Sequence, residues 1–184
     1  MTRSCACGAV RFLPPGTNVD SIGFNNVGIH PQGTRDSVTD AMRRHFTPSS
    51  SGNLNCGACN ILQPFTDTLR IEGSPEYLRI KLSIAHQGKK NFNPVVLNKY
   101  LDLAQYQAAA GNPPSLKYRL SSVLSHFGQY LNHGHWVASA RGPDHVFYIN
   151  DGTVTQQDAP LHLRANPQMN ARAVVLMYRR VHTR

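Results

Sequence analysis

The four cysteines of this chain stand in two close pairs, Cys5-Ala6-Cys7 and Cys56-Gly57-Ala58-Cys59, with 48 residues between Cys7 and Cys56. Two short-spaced pairs on tight turns can deliver four thiolates tetrahedrally to one zinc ion at about 2.3 Å. A glycine beside each pair, Gly8 and Gly57, lets backbone amides turn toward the sulfurs. The first pair is C-x-C, not the commoner C-x-x-C, so free buried thiols stand as the other reading. The long insertion argues against a compact nucleic-acid zinc finger, whose pairs lie close in sequence.

The compartment bears on the same question. No stretch approaches the roughly 20 apolar residues that span a bilayer, and Met1-Thr2-Arg3-Ser4-Cys5 lacks the apolar core of a signal peptide. The expected setting is the cytosol or nucleus, with no membrane partner. Thiols stay reduced there, which favours metal ligands or reactive thiols over a disulfide framework. A chain of 184 residues, 40% hydrophobic and 16% charged, fits one domain or a domain with a small appendage and excludes wholesale disorder.

The formal charge of +9 raises the question of a nucleic-acid partner. Residues 1–74 hold 6 basic and 5 acidic groups, whereas 75–184 hold 13 and 5. No run of neighbouring basic residues exceeds a pair, as in Arg43-Arg44, Lys89-Lys90 and Arg179-Arg180. Such a dispersed excess reads as a solvated surface, and nucleic acid is not expected.

Composition shifts near Ser74-Pro75. Upstream, Thr47-Pro48-Ser49-Ser50-Ser51-Gly52 is turn or loop chemistry. Downstream, Leu78-Arg79-Ile80-Lys81-Leu82 alternates as a half-buried strand should. Segments 120–124, 135–140, 145–149 and 173–178 are further strands, rich in Val, Ile, Tyr and Phe. A helix is expected over 34–46, capped by Thr34, with Val38, Met42 and Phe46 on one face. A second, weaker helix is expected over 101–110. The fold class is α+β with a mostly antiparallel sheet.

A second constellation is longer: Tyr118-Arg119-Leu120, His126-Phe127-Gly128, Gly134-His135-Trp136, then Phe147-Tyr148-Ile149-Asn150-Asp151-Gly152-Thr153-Val154. It resembles the histidine box of the ubiquitin-specific protease family of cysteine deubiquitinases, with Trp136 in place of the usual Tyr. Pro75 to Leu82, Val96 to Leu103 and Val174 to Arg180 follow in the family's order, and the cysteine pairs sit where its fingers subdomain carries a zinc ribbon. The resemblance runs from Cys5 to Arg180.

What the resemblance implies is a papain-like cysteine protease palm built on an antiparallel sheet, plus zinc-ribbon fingers. Residues 1–74 would be the fingers and an adjoining helix, and 75–184 the C-terminal palm. Cys5, Cys7, Cys56 and Cys59 would hold a structural zinc. His135 would be the base that takes the thiol proton, and Asn150 the partner that holds its tautomer, with Asp151 alongside. The 14 residues between His135 and Asn150 suit two antiparallel strands joined by a turn at Arg141-Gly142-Pro143-Asp144. Phe127 to Gly134 would close over ubiquitin's tail, so His126, Phe127, Gly128, Gly134 and Trp136 are the expected substrate-loop residues. His126 reads as a structural or loop-positioning residue, and His133 and His145 as surface residues.

The family's nucleophile box, its oxyanion-hole Asn and its helical thumb find no counterpart in these 184 residues. Gly52 to Gln63 has a faint likeness to the box, but using Cys59 as nucleophile would dismantle the metal site. The chain departs from the family again at Ser83-Ile84-Ala85, where Lys-Arg-Phe is usual. Its 13 basic and 5 acidic residues beyond Ser74 complement an arginine-bearing ubiquitin tail poorly. The expectation is a deubiquitinase by family that is inactive as this chain alone. Its partners would be ubiquitin or a ubiquitinated protein, with a separate chain supplying the nucleophile box. The alternative is a non-catalytic ubiquitin-binding or scaffold module.

Overall fold

The alternating pattern at 77–82 is met residue by residue: Leu78, Ile80 and Leu82 are buried while Tyr77, Arg79 and Lys81 face solvent. That strand belongs to the largest sheet of the computed structural model, which describes residues 2–12, 26–29, 36–71, 73–83, 85–86, 89–90, 95–108, 116–130, 132–158, 160 and 171–182. In chain order the elements are β1 (Thr2–Cys5), β2 (Val10–Phe12), β3 (Asn26–Ile29), α1 (Val38–Phe46), β4 (Ser49–Asn55), β5 (Leu62–Thr68), β6 (Tyr77–Leu82) and β7 (Ala85–His86). They continue with β8 (Lys89–Lys90), β9 (Tyr100–Asp102), β10 (Lys117–Phe127), β11 (His135–Arg141), β12 (Val146–Asn150), β13 (Thr153–Gln157) and β14 (Ala171–Arg180).

Three sheets result. The largest has eight strands, ordered β13-β12-β11-β10-β14-β6-β3, with β9 pairing the start of β10. Every pairing in it is antiparallel except β3 with β6. A second sheet of four strands is ordered β2-β1-β5-β4, and β7 pairs with β8 alone. Among the described residues no helix is long and apolar enough to cross a membrane.

The core lies on one face of the large sheet. Val38, Ala41, Met42 and Phe46 of α1 pack with Leu78, Ile80, Leu82, Leu120, Val123, Leu176 and Tyr178, and Leu97, Leu101, Leu103 and Tyr106 close the end. Two buried tyrosines satisfy their hydroxyls on backbone carbonyls, Tyr118 on Pro75 at 3.1 Å and Tyr178 on Asn98 at 2.8 Å. The helix that composition groups with the upstream half thus packs beneath the large sheet.

The helix begins later than its pattern suggests. Its N-cap is Ser37, whose hydroxyl accepts from the Asp40 N–H at 3.0 Å and donates to the Asp40 carboxylate at 2.6 Å. The expected cap, Thr34, lies outside the described residues. Backbone bonds from Val96 N–H to Asp36 and from Val38 N–H to Val96 hold Ser37 extended beside Val96, which a helix running back through it would forbid. The second expected helix, 101–110, is corrected where it is described. Tyr100–Asp102 is strand β9, and Ala104–Tyr106 is one 3-10 turn. Leu101 and Leu103 are buried while Tyr100 and Asp102 are exposed, a period of two. The segment read as loop, 47–52, runs into β4, whose register shifts between Ser50 and Asn53 around Gly52 at φ +79°.

Across β1 and β5, Arg3 stands opposite Asp67 and donates to both its carboxylate oxygens, at 2.7 and 2.8 Å. The Arg3 hydrogen bond holds the Asp67 carboxyl below its ordinary range. A depressed folded value contributes stability that is present above the unfolded pKa of about 3.9 and lost as pH falls through the folded one. Hydrogen exchange in β1 and β5 is therefore expected to speed up as pH drops below about 4, after correction for intrinsic rates. Asp67→Asn should flatten that dependence and weaken these strands at neutral pH.

Candidate functional site

Two clusters of chemically capable side chains stand in separate sheets. The first is in the four-stranded sheet. The β1–β2 knuckle turns through Gly8 at φ +87°, with Gly8 N–H on the Cys5 carbonyl and Cys5 N–H on that of Ala9, each at 2.9 Å. The β4–β5 knuckle turns through Asn60 at φ +55°, with Asn60 N–H on the Cys56 carbonyl at 2.7 Å. The sulfurs of Cys5, Cys7, Cys56 and Cys59 lie within 4.8 Å of one another. Backbone N–H groups of Cys59 and Ala58 pull Cys56 down to about 6, whereas burial pushes Cys5 up to about 12. Four cysteine sulfurs this close together are a donor set that a divalent cation would complete. The four cysteines could hold a metal.

One partner of this cluster carries no mark in the sequence. Gln63 on β5 directs its side-chain amide to Cys5 Sγ at 2.6 Å and Cys59 Sγ at 3.0 Å. It stands four residues after Cys59 on the strand that returns from the knuckle, a position that no motif distinguishes before that strand pairs.

The second cluster is at one end of the large sheet. His135 opens β11 and Asn150 closes β12, which pair antiparallel from Ala138↔Ile149 to Arg141↔Val146. The turn falls where expected, with Gly142 N–H on the His145 carbonyl at 2.8 Å. His135 Nε2 lies 2.5 Å from Asn150 Oδ1, and Asp151 Oδ2 stands farther off, at 3.7 Å. A hydrogen bond to a carbonyl oxygen places the ring proton on Nε2 and leaves the Nδ1 lone pair to take a proton. The imidazole is half exposed and the Asp151 carboxylate is in solvent.

Asp151-Gly152 is a two-residue hairpin turn between β12 and β13, with Asp151 at φ +51° and Asn150 paired to Thr153. Asp-Gly between alternating strands is the strongest short-range hairpin signal, and it fixes Asn150 at the last rung.

The expected loop residues gather around His126. Its ring is 2% exposed, paired across to Trp136, and the two ring centroids are 4.7 Å apart. Phe127 pairs with His135. Gly128 and Gly134 touch: a Cβ on Gly128 would stand 3.1 Å from Gly134 Cα. Trp136 is half exposed, and His133 and His145 are exposed. One residue here is unlike its reading. Lys90, taken with Lys89 as solvated surface, is 7% exposed and donates to the His126 carbonyl at 3.0 Å. That bond spans 36 residues and has no local signature.

Comparison with known proteins bears on the family and the fold. The family profile described as ubiquitin carboxyl-terminal hydrolase matches residues 11–178. Ubiquitin carboxyl-terminal hydrolase 17-like protein E of Mus musculus is 32% identical over 126 residues, 67% of this chain and 22% of that protein. In fold, the chain is similar to the SAGA DUB module bound to ubiquitin aldehyde, at a TM-score of 0.70 and 19% identity over 85% of this chain and 36% of the other. The module bound to monoubiquitin gives 0.69 and 20%, over 85% and 35%. The chain thus spans about a fifth of the curated relative and about a third of the solved chains. The mostly antiparallel large sheet with few helices matches these neighbours.

Proposed function

The chain belongs to the ubiquitin carboxyl-terminal hydrolase family, and from that premise we propose that it presents the imidazole half of a cysteine-type deubiquitinase site. The observation behind this reading is the pair His135 and Asn150, 2.5 Å apart through Nε2, which leaves Nδ1 open at the exposed end of the sheet. A thiol brought to Nδ1 would lose its proton there and add to the carbonyl carbon of ubiquitin's terminal glycine; the imidazolium would give that proton to the departing amine as the C–N bond breaks, and water would then hydrolyse the thioester. Asn150 would hold the tautomer, and Asp151 would favour the imidazolium without binding it tightly. Phe127, Gly128, Gly134 and Trp136 would cover the ubiquitin tail.

On this reading residues 75–184 are the palm, and residues 1–74 the fingers with the helix that packs beneath it. A zinc ion on Cys5, Cys7, Cys56 and Cys59 would fasten the fingers as a purely structural group. All four cysteines of the sequence are then committed to the cluster. The attacking thiol has to come from residues outside these 184, on this or a separate polypeptide. The setting is the cytosol or nucleus, where such a thiol stays reduced.

The same committed cysteines favour a second reading, a ubiquitin-binding or scaffold module without chemistry. The test is a fluorogenic substrate linked to ubiquitin's C-terminus. The isolated chain is expected to show no turnover, and turnover abolished by Cys59→Ala but surviving chelation would overturn the assignment. If a polypeptide bearing the nucleophile box restores turnover and His135→Ala removes it, the imidazole-half reading stands. Ubiquitin binding that ignores His135→Ala, with no turnover under any complementation, selects the scaffold.

A further inference from the structure

Beneath the turn that leads into His135, the side chain of Lys90 reaches three acceptors. Its Nζ lies 3.1 Å from His126 Nδ1, 3.0 Å from the His126 carbonyl oxygen and 2.5 Å from that of Gly128. An ammonium offers three protons and accepts none. His126 Nδ1 must then be the acceptor in its contact, which leaves the proton of the neutral ring on Nε2.

That nitrogen lies against Gly134. A Cβ added at Gly134 would stand 2.4 Å from His126 Nε2 and 1.9 Å from the Phe127 carbonyl oxygen, so only a bare Cα fits between them. Trp136 packs on the imidazole from the adjoining strand. Among the described residues, the charged groups that act on this pair are Lys90 itself and Arg172, the partner of His126 across β10 and β14. Burial holds both Lys90 and His126 below their ordinary values, with Arg172 adding to the first and Lys90 to the second. The contacts from Lys90 to His126 to Gly134 are unbroken, and the next residue is His135.

We propose that Lys90 is a positioning residue: by holding the His126 and Gly128 carbonyls and the His126 ring, it seats Gly134 and so sets His135 against Asn150. The assignment rests on the reading of His135 as the base, and it adds a group that touches neither thiol nor substrate. A methionine at this position would keep most of the volume and lose all three bonds.

The test is the imidazole nitrogen spectrum of the full chain with labelled histidine, in the wild type, Lys90→Met and Lys90→Arg. In the wild type His126 is expected as the neutral Nε2–H tautomer, silent near the ordinary midpoint of about 6.5. In Lys90→Met its titration should move up toward that midpoint. The hydrogen-bonded Nε2–H signal of His135 should be lost while the amide pattern of β1, β5, β6 and β14 is kept, and Lys90→Arg should restore part of it. A lysine with a merely structural role would lower the melting temperature and leave the His135 signal of the folded chain unchanged, and that result overturns the proposal. Should Lys90→Met fail to fold, His126→Phe breaks the same link from the other side, and an intact His135 signal there overturns it equally. No readout involves ubiquitin or turnover, so a failure of this geometry is told apart from a failure of complementation to restore turnover, which would remove the reading of His135 as the base.

Discussion

Replacing Cys56 by serine is expected to unfold the sheet β2-β1-β5-β4 while the large sheet stands. Among the described residues little apolar packing holds the small sheet. Its buried apolar side chains there are Cys5, Cys56 and Phe65, with Ala9 and Cys59 packed against them, a cluster separate from the main core. Three such side chains supply far less than the ordering of some two dozen residues costs, at about 1–2 kcal/mol of backbone entropy each. A structural zinc bound by four thiolates contributes on the order of 10–16 kcal/mol. With zinc held there as proposed, one serine substitution would remove a thiolate ligand and weaken that contribution. Amide exchange should rise throughout β1, β4 and β5 and stay slow in β6, β10 and β14, and a chelator applied to the wild type should reproduce the pattern. Full protection of β1 and β5 in Cys56→Ser, with no metal bound by the wild type, would mean that the Arg3–Asp67 pair and the ladder suffice.

Gly134→Ala is expected to separate His135 from Asn150 and to destabilise the large sheet by about 3 kcal/mol, as overpacking against fixed backbone does at its upper end. The methyl would fall 1.9 Å from the Phe127 carbonyl, and backbone cannot swing aside as a lysine tip can. Either the pairing of Phe127 with His135 opens, or the imidazole leaves its place. Denaturant melts give the first number, and the Nε2–H resonance of His135 reports the second. Gly152→Ala is the control, since nothing lies within 4 Å of its added Cβ. Equal effects from the two substitutions would show that the close approach at Gly134 is relieved without cost.

Legibility in the sequence followed how local each signal is. The strands were readable over 78–82, 135–140 and 173–178, because each alternates or clusters apolar residues over five or more positions, and the structure extends them to 77–82, 135–141 and 171–180. The helix was readable by its face of Val38, Met42 and Phe46, and misjudged at its start because Ser37, not Thr34, has its partner Asp40 three residues on. Leu101 and Leu103 were drawn into a helix by composition, although their spacing of two was that of a strand end. Strand β4, Ser-Ser-Ser-Gly in sequence, owes its state to pairing with β5, which propensity does not encode. The cysteine cluster and the order of His135 and Asn150 were legible from motif. Gln63 and Lys90 were not, because what defines them is a partner reached only after folding.

The pairing of β1 with β5 encloses residues 6–61, and that of β3 with β6 bridges 26–29 to 79–82. The two loops overlap in the chain, sharing α1 and β4. Closing the first draws residue 26 toward residue 79 before they meet, so the second closure starts from a shorter effective loop. In kinetic terms, metal capture by the cysteine knuckles should act as an early pin that speeds completion of the large sheet. A chain refolded without metal should reach its β3–β6 parallel pair more slowly, even where its final large sheet is the same.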